Sequence, residues 1–254
     1  MNVWLVCYIL RMESENKIAL IIDCDNASAE AIDGIMEELS NHGETSIRRA
    51  YGNWENNSLW KTVLHPFAIQ PVQQFPYTKN KNATDLAMTI DVMDILYTEN
   101  IDVFAIVSSD SDFTPLAMKL RAKGKTVIGF GEEKTPSAFI YACNLFVFTD
   151  KFKDSVSGDE PYEDESANSV ARYDKGQLRG DTRLMNAIRK AIQECQDDNG
   201  WALAATVSQL VSRKITHSPK NFGYATWPKL IHAMEYFEES KNSKDQPVFR
   251  IKKK

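Results

Sequence analysis

A chain of 254 residues, 43% of them hydrophobic and with only 11 glycines and 9 prolines, can bury one large core or two modest ones. Its formal net charge of −5 argues against a protein that holds nucleic acid by overall charge. Four scattered cysteines without a C-x-x-C, and four equally scattered histidines, give no support to a disulfide framework or a zinc site, so a reducing cytoplasm is the expected compartment. The charge is uneven, however. Residues 1–178 carry 16 Lys/Arg against 27 Asp/Glu, whereas residues 179–254 carry 14 against 8. A nucleic-acid partner would be held mainly by the C-terminal part.

In chain order, residues 1–16 form an N-terminal extension. Its start, MNVWLVCYIL, is apolar but too short to span a bilayer and lacks the basic beginning of a signal peptide, so no membrane partner is expected. Met12 directly precedes a polar stretch and the first convincing strand, and translation is expected to start there. Residues 18–22 are a continuous apolar run ending in Asp23, and residues 103–107 are another, ending in Ser108-Ser109-Asp110. Shorter runs lie at 126–130 and 145–148. Such runs suit strands buried on both faces of a parallel sheet. Between them the spacing predicts helices near 28–41, 82–98, 112–123 and 135–143. In the second of these, Leu86, Ile90, Met93 and Tyr97 recur at helical spacing and are expected to face the core. Strands alternating with helices predict a doubly wound α/β layer over residues 17–150, with ligands bound beyond the carboxyl ends of the strands. Asp23 and Asp110 fall there.

Residues 151–178 change character. Residues 154–165, DSVSGDEPYEDE, hold six acidic residues and no basic one, which reads as a solvated linker. From 179 to 254 the pattern is a small domain. Asp181 is a candidate N-cap for a helix through Leu184, Ile188, Ala191 and Cys195, with Gly200 beyond its end. A second helix is predicted over 202–213 and a third from Ala225, burying Leu230, Ile231 and Met234; residues 235–251 alternate like a two-stranded wing. Three helices and a hairpin describe a winged helix.

Four acidic segments stand out: IIDCDN (21–26), KNATD (81–85), SSDSDF (108–113), and the pair Asp91 and Asp94. An Asp at the end of a buried strand is costly unless its charge is compensated. Converging carboxylates repel, and one keeps its proton unless a cation sits among them. Mg2+ or Mn2+ removes that conflict, because these ions take oxygen ligands. With no histidine nearby in sequence, the chemistry that follows is metal-activated water attacking a phosphodiester. Each residue also has a plainer reading. Asp23 can be a strand-end cap, Asp112 a helix cap, Asp85 a complement to the helix dipole and Asn26 a turn former. Asp91, six positions after Asp85, lies about 240° further round a helix and is expected to be structural. Lys79 and Lys81 read as solvated surface ahead of phosphate contacts.

The segments KIALIIDCDN, KNATDLAMTIDVMD and VSSDSDFTPLAMKLRAKGKTVIGFG, in this order over 17–150, resemble the NYN domains of the bacterial LabA-like branch, relatives of the PIN nucleases. The resemblance implies a PIN-like parallel sheet flanked by helices and a ribonuclease that uses Mg2+ or Mn2+ to cleave RNA. The residues matching the family's metal-binding acids are Asp23, Asp85, Asp110 and Asp112, and Asn26 matches the polar residue closing the first motif. Ser109 departs from the family's usual Gly, which removes backbone freedom but adds no charge. Further on, LMNAIRKAI, GWALAATVSQLV and NFGYATWPKLIHAMEYFE resemble an OST-HTH (LOTUS) domain, a winged-helix module that engages RNA or a protein partner. Its Phe222, Tyr224 and Trp227 are expected in the core and turns instead of stacking on bases, and Lys252–Lys254 to be solvated.

Two other functions are open to the same residues. IIDCDNA also fits a haloacid-dehalogenase-like phosphatase, with Asp23 as nucleophile and Asp25 as general acid/base. The later Asp110-x-Asp112 spacing is tighter than that family prefers. The other reading is an RNA-binding adaptor that keeps a metal site without turnover.

Overall fold

The computed structural model describes residues 16–55, 58–74, 83–150, 152 and 172–252. The expected start at Met12, most of the acidic stretch, Lys79, Lys81 and Lys253–Lys254 lie outside the described residues. The chain divides into two compact units, Met1–Lys153 and Asp154–Lys254.

In the first unit, strands β1 (Lys17–Asp23), β2 (Glu44–Gly52), β3 (Gln70–Gln73), β4 (Val103–Val107), β5 (Thr126–Gly131) and β6 (Leu145–Phe148) form one sheet. Its order is β3-β2-β1-β4-β5-β6, and every neighbouring pair is parallel. The order runs outward from β1 on one side and from β4 on the other, so the topology reverses between them. Side-chain alternation splits the apolar runs between two cores. Ala19, Ile21, Phe104 and Ile106 pack with helices α3 (Ala83–Thr98), α4 (Thr114–Ala122) and α5 (Ser137–Ala142). Ile18, Leu20, Ile22, Ala105 and Val107 face α1 (Ile32–Ser40) and Trp60 of α2 (Ser58–Leu64). Both faces of the central strands are therefore dry, which is why those runs contain no polar residue.

One expectation is corrected in α3. Its buried residues are Met88, Val92, Ile95 and Leu96. Leu86, Ile90 and Tyr97 are instead 62–63% exposed, and Met93 is half-buried. The helix carries two apolar stripes at helical spacing, and periodicity alone does not choose between them. Asp85 does: residues i, i+3, i+7 and i+10 share a face, so an Asp85 aimed at the sheet carries Met88, Val92 and Ile95 inward.

The second unit has its own core of Leu184, Ile188, Val207, Leu230, Ile231 and Phe249, among others. Helices α6 (Lys175–Gly180), α7 (Thr182–Cys195), α8 (Ala204–Lys214) and α9 (Trp227–Ala233) accompany strands β7 (Ala202–Leu203), β8 (Phe237–Lys241) and β9 (Pro247–Ile251). The strands form an antiparallel sheet in the order β7-β9-β8. Asp181 caps α7, accepting from the Leu184 N–H at 2.9 Å. Phe222 and Trp227 are buried, while the Tyr224 hydroxyl donates to the Tyr173 carbonyl. Helix α6 falls partly within 151–178, the stretch read as linker. A capping box of Asp174 and Gln177 starts it, and Leu178 is fully buried. With a single apolar anchor, KGQLRG leaves no periodic signal to distinguish it from the acidic stretch before it.

Candidate metal centre

The site lies where the sheet reverses. Along β1, Ala19, Ile21 and Asp23 share a face, so Asp23 points to the side of the sheet covered by α3. It is fully buried. Three donors engage its carboxylate: the Asp25 N–H on Oδ1 at 3.1 Å, the Asn26 amide on Oδ2 at 2.9 Å, and the Ser108 hydroxyl on Oδ2 at 2.8 Å. Burial pushes the Asp23 pKa up, against the pull of these bonds; the Asp25 charge adds to the rise. Asn26 thus acts on Asp23 through its side chain, beyond its place in the turn.

Beyond β4, Ser108 links the two strand ends. While donating to Asp23 it accepts the Asp110 N–H at 3.0 Å. Asp110 has extended backbone and caps the short 3-10 turn Ser111–Phe113, its Oδ1 accepting from the Asp112 N–H at 2.8 Å. Asp110 therefore does serve as a local cap, whereas Asp112 sits within the turn and does not cap the helix that follows, whose N-cap is Phe113; the same geometry gathers the two carboxylates at one rim. Ser109 accepts the Glu132 N–H at 2.9 Å, a tie to the end of β5 that glycine could not make.

Asp85 stands in the first turn of α3. One carboxylate oxygen from each of Asp85, Asp110 and Asp112 lies within 4.8 Å of the others. Asp23 is outside that triad but close enough that its charge, after burial itself, is the largest influence raising the Asp85 pKa to about 6. Asp110, Asp112 and Asp25 add to the effect. Asp25, exposed, accepts from the Thr84 hydroxyl at 3.0 Å and so joins the first motif to the start of α3. The structure thus brings Asp85, Asp110 and Asp112 together and sets Asp23, held by Asn26, buried beside them. An all-carboxylate set at half-buried to exposed positions fits a hard divalent cation, which takes oxygen ligands and relieves their mutual repulsion.

Sequence reasoning did not single out Ser108 or Thr84, and named Asp25 only as the general acid/base of the phosphatase reading. Ser108 was the most legible of the three: a small hydroxyl directly after five apolar strand residues is placed beside whatever ends the neighbouring strand. Asp91 is elsewhere. It pairs with Arg49 and Tyr51 on β2, in keeping with a structural part. Cys24 and Cys143 are buried and their thiols pushed up, Cys143 to about 12, which removes them as nucleophiles. Among the described residues, no helix is long and apolar enough to cross a membrane.

A doubly wound parallel sheet with a carboxylate cluster at its switch point defines an α/β protein suited to divalent-metal chemistry. The NYN domain family matches residues 17–150, and the chain belongs to that family. NYN domains fall within the PIN-like nuclease superfamily, whose members usually use divalent metals. The chain is 31% identical over 128 residues to "Uncharacterized protein MJ0482" of Methanocaldococcus jannaschii, the match covering 48% of this chain. It spans about half, 50%, of the length of that curated relative. A crystal structure of "a protein of unknown function VPA0982" from Vibrio parahaemolyticus is similar over 54% of this chain and 94% of its own, at 19% identity and a TM-score of 0.44.

Proposed function

We propose that this protein is a metal-dependent ribonuclease that cleaves RNA phosphodiester bonds. The observation that carries the reading is the convergence of Asp85, Asp110 and Asp112 within 4.8 Å at the switch point, beside buried Asp23. Asp85, Asp110 and Asp112 would hold Mg2+ or Mn2+. The ion, when bound, would supply an activated water and charge stabilisation at the phosphate. Asp23 would act as the fixed negative charge behind the triad, oriented by Asn26 and Ser108. Its burial speaks against the phosphatase reading, since a phosphoryl-accepting nucleophile must be reached by substrate.

The C-terminal unit is proposed as an OST-HTH (LOTUS) winged helix that holds RNA. Its order from α7 onward, helix–strand–helix–helix–strand–strand around a three-stranded sheet, supports the winged-helix assignment. The excess of Lys/Arg over residues 179–254, with Arg183, Lys190, Arg213 and Lys229 exposed, supports RNA over a protein partner. The test is incubation of the purified chain with assorted labelled RNAs in Mg2+, Mn2+ or EDTA, with p-nitrophenyl phosphate in parallel. Metal-dependent RNA cleavage without phosphate release is expected. RNA binding without cleavage in either metal would favour the adaptor, and release of p-nitrophenol would favour the phosphatase.

A further inference from the structure

A second polar cluster lies further along α3, beyond the metal centre's Asp85. Arg49 donates to both carboxylate oxygens of Asp91, at 2.5 and 2.7 Å, and the Tyr51 hydroxyl donates to the same carboxylate. Tyr51 is fully buried, while Arg49 and Asp91 are about a quarter exposed. A charge-assisted guanidinium–carboxylate pair, here with the one Nη1 facing both Asp91 oxygens, is directional in a way apolar packing is not. The inner face of α3, by contrast, meets the sheet through Met88, Val92 and Ile95. Such packing sets how deep the helix lies but resists sliding and rolling weakly, because apolar burial is non-directional.

The cluster joins two parts of the centre. Asp91 and Asp85 are on one helix, six residues or ~9 Å of rise apart. On the strand side, Tyr51 is the register partner of Asp23, and its carbonyl accepts the Cys24 N–H at 2.9 Å. The residue beside Asp23 in the sheet is therefore the one whose side chain reaches the helix carrying Asp85. We propose that Arg49, Tyr51 and Asp91 form a positioning clamp that sets the axial register of α3, and with it the place of Asp85 in the metal centre. A slide of one residue's rise, ~1.5 Å, far exceeds the ~0.2 Å tolerance of metal–oxygen distances. The clamp rests on the metal-centre reading above. It also explains a charged residue in β2 facing the α3 core. Arg48, its neighbour, serves the other face, donating to the Phe67 carbonyl at 2.8 Å and the Thr45 carbonyl at 3.2 Å.

The alternation supplies the control. Mn2+ affinity of the full chain is measured by EPR for wild type, Asp110→Asn, Tyr51→Phe, the double variant Arg49→Gln/Tyr51→Phe, and Arg48→Gln, with metal-free melting temperatures alongside. Disturbing an outer partner of a metal site typically costs ten- to a hundredfold in metal affinity. The double variant is expected to lose about tenfold, Tyr51→Phe a smaller part of that, and Arg48→Gln nothing, even where its melting temperature falls as far. Tyr51→Phe keeps the ring in the core, so it decides the matter if the double variant does not fold. Wild-type affinity in Tyr51→Phe and the double variant, or an equal loss in Arg48→Gln, overturns the clamp while leaving the metal centre intact. Failure of wild type to bind Mn2+, or full binding by Asp110→Asn, removes the metal centre and the clamp with it.

Discussion

The two units of the chain treat charge in opposite ways. In the first, carboxylates are gathered where charge is costly: Asp23 is fully buried, and Asp85 is raised to about 6 by burial and by its acidic neighbours. In the second, the described charged side chains lie mostly at the surface, and over residues 179–254 the lysines and arginines outnumber the acids by 14 to 8. Carboxylates gathered against their mutual repulsion at the end of a sheet fit a divalent cation. A dispersed basic surface suits phosphate binding that needs no fixed geometry. Under the proposed function, one unit should govern the rate of cleavage and the other how well RNA is held.

The sharpest way to break this contrast is Asp110→Asn. Losing one carboxylate of the triad should reduce single-turnover RNA cleavage by about two orders of magnitude or more while RNA affinity changes less than twofold, approximate expectations for loss of transition-state stabilisation alone. A parallel fall in affinity, or undiminished cleavage, would undo the division. Removal of residues 179–254 should do the reverse. RNA binding weakens, and the slope of log affinity against log salt flattens by about 0.7 for each RNA phosphate that Lys or Arg no longer neutralises. Residual cleavage should survive at high RNA concentration. An unchanged slope would identify the second unit as a module for a protein partner.

A smaller effect concerns pH. Asp85 titrates near 3.8 in an unfolded chain and about 6 in the fold, so the folded state binds this proton more tightly. For the metal-free protein, that preference is a relative gain as pH falls below 6, and it disappears as pH rises through 6. Metal competes with the same proton. Between pH 7.5 and 5.0 the apparent Mg2+ affinity should drop about tenfold, the fraction of Asp85 left ionised. The melting-temperature rise on adding Mg2+ should shrink accordingly. In the absence of metal, Asp85→Asn should stabilise the protein at pH 7.5 and by roughly half as much at pH 5.0, the gain vanishing only as pH falls below 3.8. A metal effect independent of pH over this range would place the ion away from Asp85. Smallest of all, Ser108→Ala removes a buried hydroxyl that donates to Asp23 and accepts from Asp110. It should cost about 1–2 kcal/mol of stability, read by urea denaturation of the metal-free protein.

How much of this was legible depended on how each residue is compensated. β1, β4, β5 and β6 announce themselves as apolar runs because the sheet is dry on both faces, and the acids ending β1 and following β4 mark its carboxyl rim. β2 and β3, with α2 between them, gave no such signal. ETSIRRAYG carries adjacent arginines whose charge is satisfied by Asp91 on one face and by backbone carbonyls on the other, partners invisible in one dimension. β3 is four residues at the sheet edge with Pro71 inside it, where proline is tolerated but breaks the pattern. The inward face of α3 was misassigned because both its stripes are apolar, although Asp85 held the clue. The acidic residues were recognisable one by one. Their convergence was not, since it depends on Ser108 bridging β1 and β4 and on α3 lying across β2.

The most direct test of the account is anomalous diffraction from crystals of the full chain grown or soaked with Mn2+. The expected result is a manganese peak with carboxylate oxygens of Asp85, Asp110 and Asp112 at about 2.2 Å, and Asp23 behind them still accepting from Ser108 and Asn26. Manganese bound only elsewhere, or none at millimolar Mn2+ with the triad ordered as described, would contradict it.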